Sequence, residues 1–347
     1  MATLRDIATH AGVSVRTASM VLRGREEEGR ISPVRAATIR EIAERLDYRP
    51  NSAARAMRSR RTGLIGVLVQ THLHLRNPTR GALELAIGVN SALDEAGNVM
   101  CLIPLVDVLA AADMGGDMGE DHEKLRLRVF RERLLDGMIA INAVPEDLHE
   151  RLQQLVPAIV WVDHNRFTPT HCARRDEVHA GYTVVSKLAA KGYREVLYVE
   201  PVSTHGHYSM IGRRTGVERA AREFGMKLET IALPMFLKAT EPPERLRRLT
   251  PDCALVAYDA RLLRDLALFT GQLGLRMGHD FGLAGCEDNS DLWHSMNVVS
   301  RMGFDRDRLG RHAAGMMLRL IEHPDAPPPS VEVRDEWIEG ETTPGPR

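Results

Sequence analysis

Residues 11–24 read AGVSVRTASMVLRG, a glycine set just ahead of a short amphipathic run. Gly12 suits the positive φ of a tight turn, Val13 plugs it, and Ser14 is a good cap for the helix that follows. In that helix Ala18, Val21 and Leu22 fall at i, i+3 and i+4 and share a face, so Val15, Arg16 and Met20 project elsewhere. Upstream, Ile7, Ala8 and Ala11 recur at helical spacing, with Thr3 as the N-cap of a helix starting near Leu4. Two short helices joined by a glycine turn have helix-turn-helix geometry.

A third helix is predicted from Pro33 to Leu46, with Ser32 as cap, Pro33 at its first position, and Ile39, Ile42, Ala43 and Leu46 as its apolar stripe. The loop RGREEEGR before it reads as acidic and solvated. The segment YRPNSAARAMRSRR follows: Pro50 sets a boundary and Asn51 can cap Ser52 to Arg58, a helix too short to be stable alone. A basic linker is the alternative.

Charge separates this head from the rest. Residues 1–61 hold 13 Arg and no Lys against 7 acidic residues, a net of +6, which leaves −7 for the remainder. A basic module facing a polyanion, attached to an acidic body, fits that split. At 347 residues and 44% apolar composition the chain suffices for two or three well-buried domains. It has no apolar run of membrane-spanning length, and MATLRDIATH lacks the basic and apolar sections of a signal peptide, so a cytoplasmic protein is expected. Cys101, Cys172, Cys253 and Cys286 are widely spaced without a CxxC pair and read as reduced and mostly buried.

In the body, GLIGVLVQ, NVMCLIPLV, DGMIAIN, PAIVWVD, EVLYVEP, CALVAYD and FGLAGCED are short apolar runs of the kind that form parallel strands buried on both faces. Helical segments such as 80–96, 179–191 and 212–224 separate them. The pattern predicts an α/β fold with parallel sheets. The common nucleotide, phosphate, acyl-transfer and zinc signatures are missing, so neither catalysis nor a cofactor is expected. The pairs HLH (72–74) and HGH (205–207) are weak as metal signals.

TLRDIATHAGVSVRTASMVLRG, then ISP and LDYRPNSAARAMRSRRTGLIGVLV, resemble the head, hinge and first strand of the lac and galactose repressor family of bacterial transcription regulators. The resemblance implies a helix-turn-helix headpiece over 1–49 and a hinge helix and linker over 50–61. It further implies an effector-binding and dimerisation domain over 62–340, built like a periplasmic binding protein. The first lobe would take about 62–165 and 296–325, the second about 166–295 and 326–340.

By that resemblance the second helix enters the major groove, with Val15, Arg16, Thr17, Met20 and Arg23 at the DNA and Asn51, Ala54, Met57 and Arg58 serving the hinge. Met57 takes the place of a minor-groove wedge. Arg16 can contact guanine bidentately, and Val15 and Met20 can touch a thymine methyl. The alternative has Arg16 on phosphate and Met20 packed on the loop. Met20, Arg23 and the long loop depart from the usual family residues, which leaves base preference open.

In the body, RRTGV resembles the family's R-x-x-G segment and points to Arg213 as the first effector contact. Asp163, Glu287 and Tyr258 are further candidates at strand ends facing the cleft, with Asp163 and Glu287 equally readable as a helix cap or a domain-interface ion pair; Gln70, Thr71, Phe236 and Trp293 are weaker pocket candidates that read individually as core or rim residues. The implied partners are double-stranded operator DNA, a second copy of the chain in a homodimer, and a sugar or sugar-like polyol. An acidic or phosphorylated sugar and a nucleobase are alternative effectors. The competing function readings are a solute-binding protein and a DNA-tethered α/β enzyme acting on a sugar.

Overall fold

A computed structural model describes residues 2–22, 24–48, 61–69, 80–105, 108, 127–142, 144–202, 206–234, 243–288 and 299–346. The chain forms two compact units, residues 1–62 and 63–347.

In the first unit, α1 (Leu4–His10) opens on a capping box: the Thr3 hydroxyl accepts from the Asp6 N–H while the Asp6 carboxylate accepts from the Thr3 N–H at 2.8 Å. Gly12 takes φ +61°, turning the chain into α2 (Val15–Val21), which Ser14 caps through the Thr17 N–H at 3.0 Å. α3 (Pro33–Arg45) starts on Ser32 with Pro33 in its first turn. The three helices close over Ile7, Ala8, Ala18, Val21, Ala36, Ile39, Ile42 and Ala43. The acidic loop is not wholly solvated as expected. Glu26 pairs with Arg40 on α3, and Arg25 bonds Glu28 at 2.8 Å.

The second unit holds two six-stranded sheets. In the first, β11 (Val331–Val333), β5 (Cys172–Arg175), β4 (Ile159–Val162), β3 (Gly137–Ile141), β1 (Leu64–Val69) and β2 (Val99–Pro104) lie side by side in that order, all parallel. Val67 is in register with both Leu102 and Ile139. Alternate residues serve opposite faces. Val67, Ile139 and Val160 pack with the helices Arg80–Glu95 and Arg306–Glu322, while Leu68, Met138 and Trp161 pack with the helix Glu146–Leu155.

The second sheet has the order β12 (Trp337–Ile338), β10 (Ser300–Met302), β9 (Gly282–Gly285), β8 (Cys253–Ala257), β6 (Glu195–Pro201) and β7 (Lys227–Leu233). All its pairings are parallel except β10 with β12. The helices Glu177–Ala190, Tyr208–Glu223 and Ala260–Gln272 share its core. Cys172, Cys253 and Cys286 are buried, and all four cysteines are free thiols. Among the described residues no helix is long and apolar enough to cross a membrane.

The expected lobe boundaries need correcting. β5 and β11, assigned by sequence to the second lobe, pair into the first sheet, and β10, assigned to the first lobe, pairs with β9 in the second. The chain therefore crosses between sheets at 175–177, 302–306 and 333–337. The sequence CARR of β5 carries too much charge to announce a buried strand, and three-residue β10 and β11 are too short to show a period.

Candidate functional site

On the head, Val15 is 42% exposed and Arg16 is exposed, both on the first turn of α2. Thr17 is half-buried with its hydroxyl 2.8 Å from Ser14 Oγ, so it secures the start of the helix. Met20 is half-buried as well, its methyl against Gly29, where a Cβ would stand only 2.9 Å away. Arg23, Asn51, Ala54, Met57 and Arg58 lie outside the described residues, as do Gln70, Thr71, Phe236 and Trp293 of the body. So do His72, His74 and His205 of the histidine pairs.

The body brings four of its predicted residues to one place. Asp163 follows β4, Tyr258 follows β8, Glu287 lies just past β9, and Arg213 projects from the helix Tyr208–Glu223. All three strand-borne groups stand at carboxyl ends of the parallel strands, where open α/β sheets bind ligands.

Arg213 is 1% exposed and heavily engaged. Its Nε and Nη2 donate to the two Glu177 carboxylate oxygens at 2.6 and 2.9 Å, and Nη1 donates to the Tyr258 carbonyl at 2.6 Å and to Glu287 at 3.2 Å. The guanidinium also lies over the Tyr258 ring, 4.6 Å from its centroid. Tyr258 in turn shares a hydrogen bond with Ser209 at 2.5 Å.

Glu287 ties this group to the first lobe. Arg306, at the start of a helix packed on the first sheet, donates to it at 2.6 Å, and Arg175, the last residue of β5, stands 3.6 Å away. Arg175 also pairs with Glu177 at 2.8 Å and faces Asp163 at 3.5 Å. Phe304 lies between two of these cations, its ring 4.2 Å from the Arg175 guanidinium carbon and 4.5 Å from that of Arg306.

The other flank is built on Asp163, held at φ +51°. Tyr208 donates its hydroxyl to the Asp163 carboxylate at 2.7 Å, and His207 Nε2 lies 2.8 Å from the Asp163 carbonyl. Next door, His164 packs at a tilt against Trp161 and His149 and accepts from the Arg166 N–H at 2.8 Å, which fixes the loop after β4.

The electrostatics follow from burial in company. Burial alone would raise the Glu287 pKa, but Arg213, Arg175 and Arg306 bring it down to about 2. For Asp163 burial again opposes ionisation, and Arg175, His207 and the Tyr208 hydroxyl hold the carboxyl well below the usual range. Asp335, on the crossing segment between β11 and β12, goes the other way: burial pushes it up to about 7. His164 is lowered to about 4 by burial and by His149, which keeps it neutral.

Sequence reading missed Arg175, Glu177, Arg306, His207 and Tyr208. Buried charges at crossing segments have no periodic signature; the one clue was RRDE (174–177), a charge run placed directly after an apolar strand. The arrangement can accept and donate hydrogen bonds to a polyhydroxyl or anionic molecule from both lobes at once.

The comparisons agree with this architecture. Residues 3–51 match the family described as bacterial regulatory proteins, lacI family, and residues 185–343 match the periplasmic binding protein-like domain. The HTH-type transcriptional regulator RegA of Clostridium saccharobutylicum is 24% identical, covering 98% of each chain. KdgR of Bacillus subtilis is 22% identical over 97% of this chain and 96% of its own. The lac repressor dimer, solved on operator with the anti-inducer ONPF, superposes with a TM-score of 0.66 at 18% identity over 99% of each chain. The head thus carries the lacI-family motif of bacterial regulatory proteins, and the chain as a whole, with its two parallel-sheet lobes, is similar along its full length to transcription regulators.

Proposed function

We propose that the chain is a cytoplasmic repressor that binds a pseudo-palindromic operator as a homodimer and releases it when a small sugar-like effector occupies the cleft. The observation that carries the effector half is the buried cluster of Arg213, Asp163, Glu287 and Tyr258 with Arg175 and Arg306, since it joins the two lobes at the strand ends. Several relatives and neighbours are named for sugars, among them a sucrose operon repressor of Staphylococcus xylosus and a CelR structure with cellobiose. On this reading the cleft binds and does not catalyse. The dimer aligns two heads on two half-sites.

Arg16 is the proposed base reader, with Val15 beside it on the exposed first turn of α2. Met20 supports the loop at Gly29 as well as facing the groove, and Thr17 contributes by fixing the cap. Arg23, the hinge residues Asn51, Ala54, Met57 and Arg58, and the cleft candidates Gln70, Thr71, Phe236 and Trp293 keep the roles their positions imply. Binding measurements on a set of single-base operator variants test the DNA half. Arg16→Ala is expected to cost about 1 to 3 kcal/mol and to erase preference at one position per half-site. A loss of equal size on every sequence would make Arg16 a phosphate contact instead.

A further inference from the structure

Three guanidiniums meet at one carboxylate. Arg306 reaches Glu287 at 2.6 Å, Arg213 at 3.2 Å and Arg175 at 3.6 Å. Among the described residues Asp163, Glu177 and Glu287 face these cations and make with them an inner group of six, while Glu84, 26% exposed, stands 3.4 Å from Arg306 outside it. Glu287 is the member with access to water: its side chain is 19% exposed, whereas the other five are 8% exposed or less. Arg213 has no comparable freedom, because Glu177 holds Nε and Nη2 and the Tyr258 carbonyl holds Nη1. Arg175 has the opposite condition. It is 4% exposed, and its Nε and Nη1 make no hydrogen bond, standing 3.5 Å from Asp163 and 3.6 Å from Glu287.

From this geometry we infer that the effector is a sugar acid, a polyol bearing one carboxylate, which takes the place of Glu287 among the arginines. The inference rests on the effector-cleft reading above and adds the ligand's charge to it. A neutral ligand that displaced Glu287 would leave Arg175 and Arg213 to share Asp163 and Glu177 and would take from Arg306 its nearest carboxylate, a loss that low dielectric penalises. A ligand carrying a carboxylate keeps one negative group against all three guanidiniums while Glu287 swings to water. Its hydroxyls then offer Arg175 Nε and Nη1 the hydrogen bonds they lack.

The test is calorimetric titration of the full chain with matched pairs, gluconate against glucitol and glucuronate against glucose, at constant ionic strength. Wild type is expected to bind the acid of a pair more tightly than its neutral partner. Glu287→Gln has no built-in carboxylate to displace and is expected to bind that acid about tenfold more tightly, with no gain for the neutral partner. Glu287→Asp, which withdraws the carboxylate by one methylene, moves in the same direction and serves if the glutamine variant does not fold. Absence of acid binding, tighter binding of the neutral partner, or weaker acid binding in Glu287→Gln would overturn the inference. Arg213→Lys separates the two levels. Neutral-sugar binding that this variant abolishes would sink the acid inference and keep the cleft, whereas heats identical in all the proteins would sink both.

Discussion

At the scale of single residues, Arg213 is both the best-flagged group in the sequence and the most constrained in the structure. Its R-x-x-G context made it visible, but its fork on Glu177 makes it a structural group beside the effector role proposed for it. Arg213→Ala leaves Glu177 buried without its strongest partner, and urea unfolding is expected to show a loss of about 3 to 5 kcal/mol. Arg213→Lys keeps the charge but not the two-pronged geometry, and its loss is expected to be smaller. Equal stability of wild type and Arg213→Ala would mean that the cluster contributes nothing to folding. Asp335 supplies a pH signature. Its carboxyl is raised to about 7 in the folded state by burial, well above its unfolded value near 4, so its contribution to stability is full below about pH 4 and declines as pH rises toward 7. Asp335→Asn is expected to flatten the fall in melting temperature over that window, and an unchanged slope would exclude Asp335 as its source.

At the scale of elements, the site depends on how closely two helices approach. In the second lobe, Gly181 and Gly216 let Glu177–Ala190 and Tyr208–Glu223 touch backbone to backbone: a Cβ on Gly216 would fall 2.2 Å from the Val178 carbonyl, and one on Gly181 would fall 2.1 Å from that of Arg213. The first lobe repeats the device, with Gly88 and Gly310 between Arg80–Glu95 and Arg306–Glu322. The second-lobe contact brings Glu177 and Arg213, which lie on different helices, within bonding distance. Gly216→Ala must force these helices apart, so a loss of about 1 to 3 kcal/mol is expected together with weaker effector binding. Stability and affinity both unchanged would show that the close approach is not needed. The long central strands β1, β3, β4, β6 and β8 were readable from their apolar runs because both faces are buried. β7, KLETIAL, was not, since it is a sheet edge with alternate exposure and reads as a mixed surface segment. The capped helices of the head were the most legible of all, because Thr3, Ser14 and Ser32 sit where cap chemistry requires them.

At the scale of the whole molecule, the charge split between a basic head and an acidic body was visible from composition, whereas the crossing points were not. Each crossing segment changes sheets within a few residues and carries the charges that build the cluster: Arg175 and Glu177 on the first, Arg306 at the end of the second, Asp335 on the third. The proposed ligand exchange at the cluster would therefore act on the segments that join the lobes and give effector binding a physical route to lobe geometry. Such coupling is typically about 1 to 3 kcal/mol, and it is reciprocal. The direct measurement is the affinity of the full chain for a duplex selected from random sequence, taken with and without a saturating sugar or sugar acid that the cleft binds. A pseudo-palindromic duplex is expected, with a Kd that rises about 5- to 150-fold with ligand in wild type and stays flat in Arg213→Lys. A Kd indifferent to the bound ligand, or one that shifts equally in Arg213→Lys, would contradict that expectation.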